Sequence, residues 1–148
     1  MILLSQLIGQ RVLADDTGLL VGSLRRLMLD PAGPAVKMAQ VDRADGPLGI
    51  VDWSAVTDIG PDAVTIEHAD AVRPPDGGDE ERLVQGKLEL TGKLVLDEGG
   101  DALGPLEDLE FDERSGRLLR VHVPGHVVEV ERIVALGPDA LIVPSAAD

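Results

Sequence analysis

The chain has 148 residues, 44% of them hydrophobic, yet Trp53 and Phe111 are its only aromatics, so it can fold as one domain or two small ones around an aliphatic core. Thirteen basic and 27 acidic side chains give a net charge of −14, which repels phosphate backbones and anionic headgroups and so disfavours direct nucleic-acid and membrane partners. The absence of cysteine excludes disulfides, thiolate metal sites and a cysteine nucleophile.

The start of the chain, Met-Ile-Leu-Leu-Ser-Gln-Leu-Ile-Gly, lacks the basic region and cleavage site of a signal peptide, and every apolar run is too short for a membrane span. The expectation is a cytoplasmic protein. Val12-Leu13 reads as a strand entering an acidic turn at residues 15–18. Leu27 and Leu29 alternate with Arg26, Met28 and Asp30, the period of two that marks a half-buried strand. Asp30-Pro31-Ala32-Gly33 supplies hairpin chemistry, and Val36 and Met38 continue on the return strand. Residues 48–53 supply a further strand. Val56 and Ile59, three apart, predict a single helical turn over residues 53–59, and residues 63–66 close the unit after a Gly-Pro-Asp turn.

Arg73-Pro74-Pro75-Asp76-Gly77-Gly78-Asp79-Glu80-Glu81-Arg82 has no apolar period and strong turn bias, so residues 74–82 read as a linker between halves 1–73 and 83–148.

The second half repeats the first in three blocks. Gly92-Lys93-Leu94-Val95-Leu96 matches Gly9-Gln10-Arg11-Val12-Leu13. Gly104, Leu106, Leu109, Phe111 and Asp112 match Gly22, Leu24, Leu27, Leu29 and Asp30. Gly137-Pro138-Asp139-Ala140 matches Gly60-Pro61-Asp62-Ala63. Three blocks in the same order point to duplication. The second copy accordingly predicts strands around Leu109 and Phe111, around Leu119, Val121 and Val123, and over residues 127–130, then a helical turn over 130–136 and a closing strand over 140–143. Five or six short strands in about 65 residues favour a small bent barrel, because closing a sheet removes exposed edges.

These residues resemble the PRC-barrel family, the small β-barrel of the cytoplasmic part of the photosynthetic reaction-centre H subunit and of the C-terminal domain of the ribosome-maturation factor RimM. The pattern G-[QK]-x-V-L, then [VL]-G-x-L-x-x-L-x-[LF]-D, then V-D-W-S-A-V-T-D-I-G-P-D-A-V-T-I carries the resemblance over most of both halves. It implies an all-β fold of two tandem small PRC-type β-barrels, each of five to six short strands with a short helical turn before the last. By analogy it implies a non-enzymatic adaptor.

The chemistry-bearing residues fit that expectation. No serine lies in a nucleophile elbow, and neither a P-loop nor a dinucleotide fingerprint is present, so no catalytic residue, cofactor or metal ligand is assigned. His122 and His126 flank a turn at Val123-Pro124-Gly125, and with Glu129 or Glu131 they offer imidazole and carboxylate to a divalent ion; this turn, or a cleft between the halves, is the basis of an alternative reading as a small-ligand or metal-ion sensor. Trp53, matched in register by Val130, either fills the first barrel's base or anchors an interface between halves or subunits. Trp53, His122 and His126 are therefore the candidate partner-interface residues. The expected partner is a protein with a basic surface. A homodimer stays open, and a ribosome-maturation role similar to RimM is a third reading, disfavoured by charge.

Overall fold

In a computed structural model, which describes residues 1–30 and 32–145, the chain is mostly β-structure, and none of the three sheets closes on itself. Pro31 of the expected hairpin turn lies outside the described residues. Among those residues no helix is long and apolar enough to cross a membrane.

The first sheet is built from β2 (Arg11–Ala14), β3 (Leu20–Asp30), β4 (Ala35–Arg43), β5 (Gly49–Asp52), β6 (Val56–Ile59) and β7 (Ala63–Ile66). Their spatial order is β5-β4-β3-β2-β7-β6, with β2 and β7 parallel and the other neighbours antiparallel. Beyond residue 90 the strands are β8 (Leu94–Asp97), β9 (Ala102–Pro105), β10 (Asp108–Phe111), β11 (Leu118–Val123), β12 (His126–Glu129), β13 (Ala135–Leu136) and β14 (Ala140–Val143). One sheet runs β13-β14-β8-β9, with β8 and β14 parallel. The other runs β1-β10-β11-β12, where β1 is Ile2–Leu3 at the chain start. Taking β9 and β10 as the two ends of one broken strand, the order of residues 94–143 reads the same as that of residues 11–66.

The break has a local cause. β3 runs unbroken for eleven residues, whereas its counterpart carries Gly104 at φ 113° followed by Pro105, which has no N–H for the ladder. The matched glycines share a steric reason. A Cβ on Gly22 would sit 2.1 Å from the Asp42 carbonyl oxygen, and one on Gly104 would sit 2.9 Å from Pro124 Cδ. Neither position admits a side chain without moving its neighbour.

The repeated blocks make the same hydrogen bonds. Gly9 N–H donates to Leu24 O and Gly92 N–H to Leu106 O, both at 2.7 Å. Leu24 N–H returns to Gln10 O (2.9 Å), and Leu106 N–H to Lys93 O (2.7 Å). The Gly-Pro-Asp turns close through Gly60 N–H to Ala63 O (2.9 Å) and Gly137 N–H to Ala140 O (3.0 Å). In each half the residue after the first glycine braces that turn: Gln10 Nε2 donates to Pro61 O (3.1 Å), and Lys93 Nζ to Gly137 O (2.7 Å). Asp30 and Asp112 accept turn amides, from Ala32 (3.0 Å) and Arg114 (2.8 Å), as turn residues do.

The halves are joined by matched contacts. Ala35 bridges Arg117, Val36 N–H donates to Gly116 O (2.8 Å), and Leu118 N–H donates to Pro34 O (2.8 Å). Residues 34–36 are the register counterparts of 116–118, so the contact is reciprocal, as about a two-fold axis. The start of the chain crosses over: β1 pairs with β10, and Asp108 accepts the backbone and hydroxyl of Ser5 in α1 (Leu4–Leu7). One continuous aliphatic cluster, with Phe111 and Trp53, spans both halves.

Two expectations need correction. A helical turn precedes β6 only as the 3₁₀ turn Trp53–Ala55, and residues 130–134 form none; there Val130 and Ile133 are buried along a bent path into β13. On the return strand the buried residue is Leu118, not Leu119, because a bulge shifts the register between Glu110 and Phe111. The stretch read as linker is also partly helical. α2, Gly78–Val84, carries Asp79, Glu80 and Glu81 in its first turn, where acids suit the helix dipole. It buries Leu83 completely against Met28, Met38 and Ile50 on the outer face of the first sheet. Arg73 clamps it, bonding Glu80 (2.5 Å) and Asp52 (3.1 Å).

Candidate functional site

Trp53 follows β5 and is 8% exposed. Its ring lies over Gly116 of the other half, where an added Cβ would be 2.5 Å from Nε1 and 2.8 Å from Cδ1. Gly116 is at φ 73°, so its turn and the overlying ring both require glycine. The tryptophan thus packs within the chain, at the contact between halves.

The register of the β11–β12 hairpin separates the two histidines. His122 pairs with Val127 and Val123 with His126. Directly opposed residues share a face and successive residues alternate, so His122 and His126 point to opposite sides and do not meet across the turn. Among the described residues no three His, Asp or Glu side chains are grouped to hold a metal ion. His122 instead joins a network on the outer face. Its Nε2–H donates to Glu110 Oε1 (2.9 Å), while Arg120 donates to Glu110 Oε2 (2.7 Å). Arg120 first, then His122, hold the Glu110 carboxyl below the usual range. His126 is exposed and borders a groove of about 820 Å³ along β12, walled by Leu103, Leu119 and Val128.

The strand expected over residues 127–130 is β12, and what residue-by-residue reading of the sequence missed is that it stands at a sheet edge. It ends its sheet, as β5 ends the first, and the registers make Asp52 the counterpart of Glu129. The free side of β5 is occupied by the chain itself. Ile50 N–H donates to Arg73 O (2.7 Å), Arg73 N–H to Ile50 O (2.8 Å), and the Arg73 guanidinium reaches Asp52. Among the described residues nothing bonds to the free side of β12. Val130 N–H donates to Leu119 O (3.1 Å), so the alternate positions Val127 and Glu129 turn their backbone groups outward. Val127 is 47% exposed and the Glu129 side chain 81%. Register alignment of the two halves, rather than a motif, was the signal that could have found this edge.

Compared with family models and with curated proteins, the chain matches none.

Proposed function

We propose that this chain is a cytoplasmic, non-enzymatic adaptor built of two tandem PRC-barrel-like copies, and that it takes an extended, basic segment of a protein partner along the free edge of β12. The tandem reading is supported by the shared strand order and by hydrogen bonds that recur at matched blocks. The observation that carries the docking reading is the contrast between β5 and β12. At β5 an extended residue adds to the edge and sets a guanidinium on Asp52. At β12 the outward backbone groups have no partner among the described residues, the groove beside them has apolar walls, and Glu129, which Arg120 Nε approaches at 3.6 Å, still exposes most of its side chain to a further cation. Strand addition of this kind draws affinity from main-chain hydrogen bonds and specificity from alternate side-chain positions. The net charge of −14 steers a basic segment toward the protein and weakens the association as salt rises.

The test is a short alternating valine–lysine peptide titrated into isotopically labelled protein, with a valine–glutamate peptide as control. Amide shifts confined to β11, β12 and the groove are expected for the basic peptide only. Val127→Pro removes an outward N–H while sparing the ladder, a placement edge strands tolerate, and should abolish those shifts. Equal response to both peptides, or an unaffected Val127→Pro variant, would refute the reading.

A further inference from the structure

Where the halves meet, each Gly-Pro-Asp turn borders a cleft, and the two clefts have diverged. Beside Gly60-Pro61 the cleft measures about 460 Å³ and includes Gln6, Gln10 and Glu113 in its lining. Beside Gly137-Pro138 it measures about 730 Å³ and is walled by Leu27, Leu29, Leu88, Leu90 and Leu136. A structural difference keeps the second one open. The outer side of β10 is filled by β1, whereas β3 has, among the described residues, no strand partner on that side beyond Ser23. Mostly apolar lining with a few polar groups, at this volume, is the usual composition of a small-molecule site.

Charge sets this cleft apart from the rest of the surface. Three of the chain's 13 basic side chains, Arg82, Lys87 and Lys93, line it, against the single acid Asp79, which is already paired with Arg82. Lys93 is 8% exposed, and among the described residues no carboxylate lies within ion-pair distance of its ammonium. One bond, to the Gly137 carbonyl, occupies one of its three donors. Burial pushes the Lys93 pKa down, and Asp139 only partly offsets this. The fold does not demand a charge here. In the other half the neutral amide of Gln10 braces the equivalent turn without the desolvation cost of a buried ammonium.

We infer that this cleft binds an amphipathic monoanion, a carboxylate on an unbranched apolar chain, with the carboxylate on the Lys93 ammonium and the chain along the leucine wall. Lys87 and Arg82, both exposed, stand at the mouth and favour entry of an anion. This inference is independent of docking at β12, because the two sites share no residue.

The experiment is calorimetric titration of the full chain with hexanoate, octanoate and decanoate below their micelle concentrations, with decanol and decyltrimethylammonium as controls. Saturable binding of the carboxylates is expected, tightening about fourfold per added methylene until the cleft is filled. Lys93→Gln installs the side chain the other half already uses, so it should fold with unchanged or higher thermal stability and bind decanoate at least about tenfold more weakly. Decanol binding as tightly as decanoate, or decanoate binding unchanged in Lys93→Gln, would overturn the inference. Amide shifts in the unaltered protein give a check that needs no variant. They should centre on Leu90, Lys93 and Gly137, and a response centred elsewhere would also overturn it.

Discussion

Gly116→Ala probes the contact between halves most directly, and the chain contains its own control. At Gly116 an added methyl meets three atoms of the Trp53 ring at 2.5, 2.8 and 3.3 Å, and the backbone sits at φ 73°. At Gly125 the backbone is similar, φ 85°, but nothing lies within 4 Å of an added Cβ. The left-handed conformation costs a non-glycine residue about 1–2 kcal/mol, and overpacking typically adds about 1–3 kcal/mol. Gly125→Ala should therefore lose about 1–2 kcal/mol and Gly116→Ala about 2–5 kcal/mol. The larger loss is a substantial part of the roughly 5–15 kcal/mol that holds a typical domain together. Urea unfolding followed by fluorescence and by circular dichroism separates them. Trp53 is the only tryptophan, so its emission reports on this contact alone and should change in Gly116→Ala but not in Gly125→Ala. Equal losses within about 0.5 kcal/mol, with unchanged emission in both, would refute the packing of Trp53 on the second half.

Leu83→Ala should cost about 2–3 kcal/mol, at the low end for a buried leucine because a short surface helix can settle into the space; unfolding midpoints measure it, and faster tryptic cleavage at Arg82 should accompany it. Glu110→Gln should cost about 1 kcal/mol at neutral pH. Because the folded carboxyl titrates below its ordinary 4.5, its contribution is complete above that value and is lost as the pH falls through the lower folded one. Thermal midpoints of the two proteins should therefore converge in acid, and a gap that stays constant down to pH 3 would contradict the pairing with Arg120.

The parts of the fold that were legible in the sequence are those fixed by local chemistry. The Gly-Pro-Asp blocks announce the closing turns, the Asp-rich ends of β3 and β10 announce hairpins, and alternation over residues 26–30 and 108–112 announces strands. What was not legible depends on pairing at a distance. Ile133 and Leu136 have helical spacing, but Leu136 is held in a ladder opposite Leu141, which a short stretch with weak local preference cannot resist. α2 offers only Leu83 and Val84 to any apolar pattern, and its acidic first turn looks like solvated linker until the face it covers is known. β1 is two residues long, too short to show a period. For the histidines, sequence spacing gave proximity and the register took it away: a two-residue turn sends His122 and His126 to opposite faces.

The outer faces of the two halves explain why only one of them stays uncovered. Beneath α2 the first half presents Met28, Met38 and Ile50, together with Gln40, which is 1% exposed and satisfied by Arg26 (3.0 Å) and Asp42 (2.9 Å). Their register counterparts on β10, β11 and β12 are Glu110, Arg120, Val127 and His122. An apolar helix laid over that second set would strip water from a carboxylate and a guanidinium without replacing it, and a buried ion pair often fails to recover such a cost. A helix like α2 is therefore a poor cover for the second half, whereas an extended segment at the β12 edge leaves Glu110 and Arg120 hydrated and bonded to each other. Glutamate, arginine and histidine, where the first half has methionine, methionine and glutamine, thus disfavour a helical cover on this face, and among the described residues β12 remains its open strand edge.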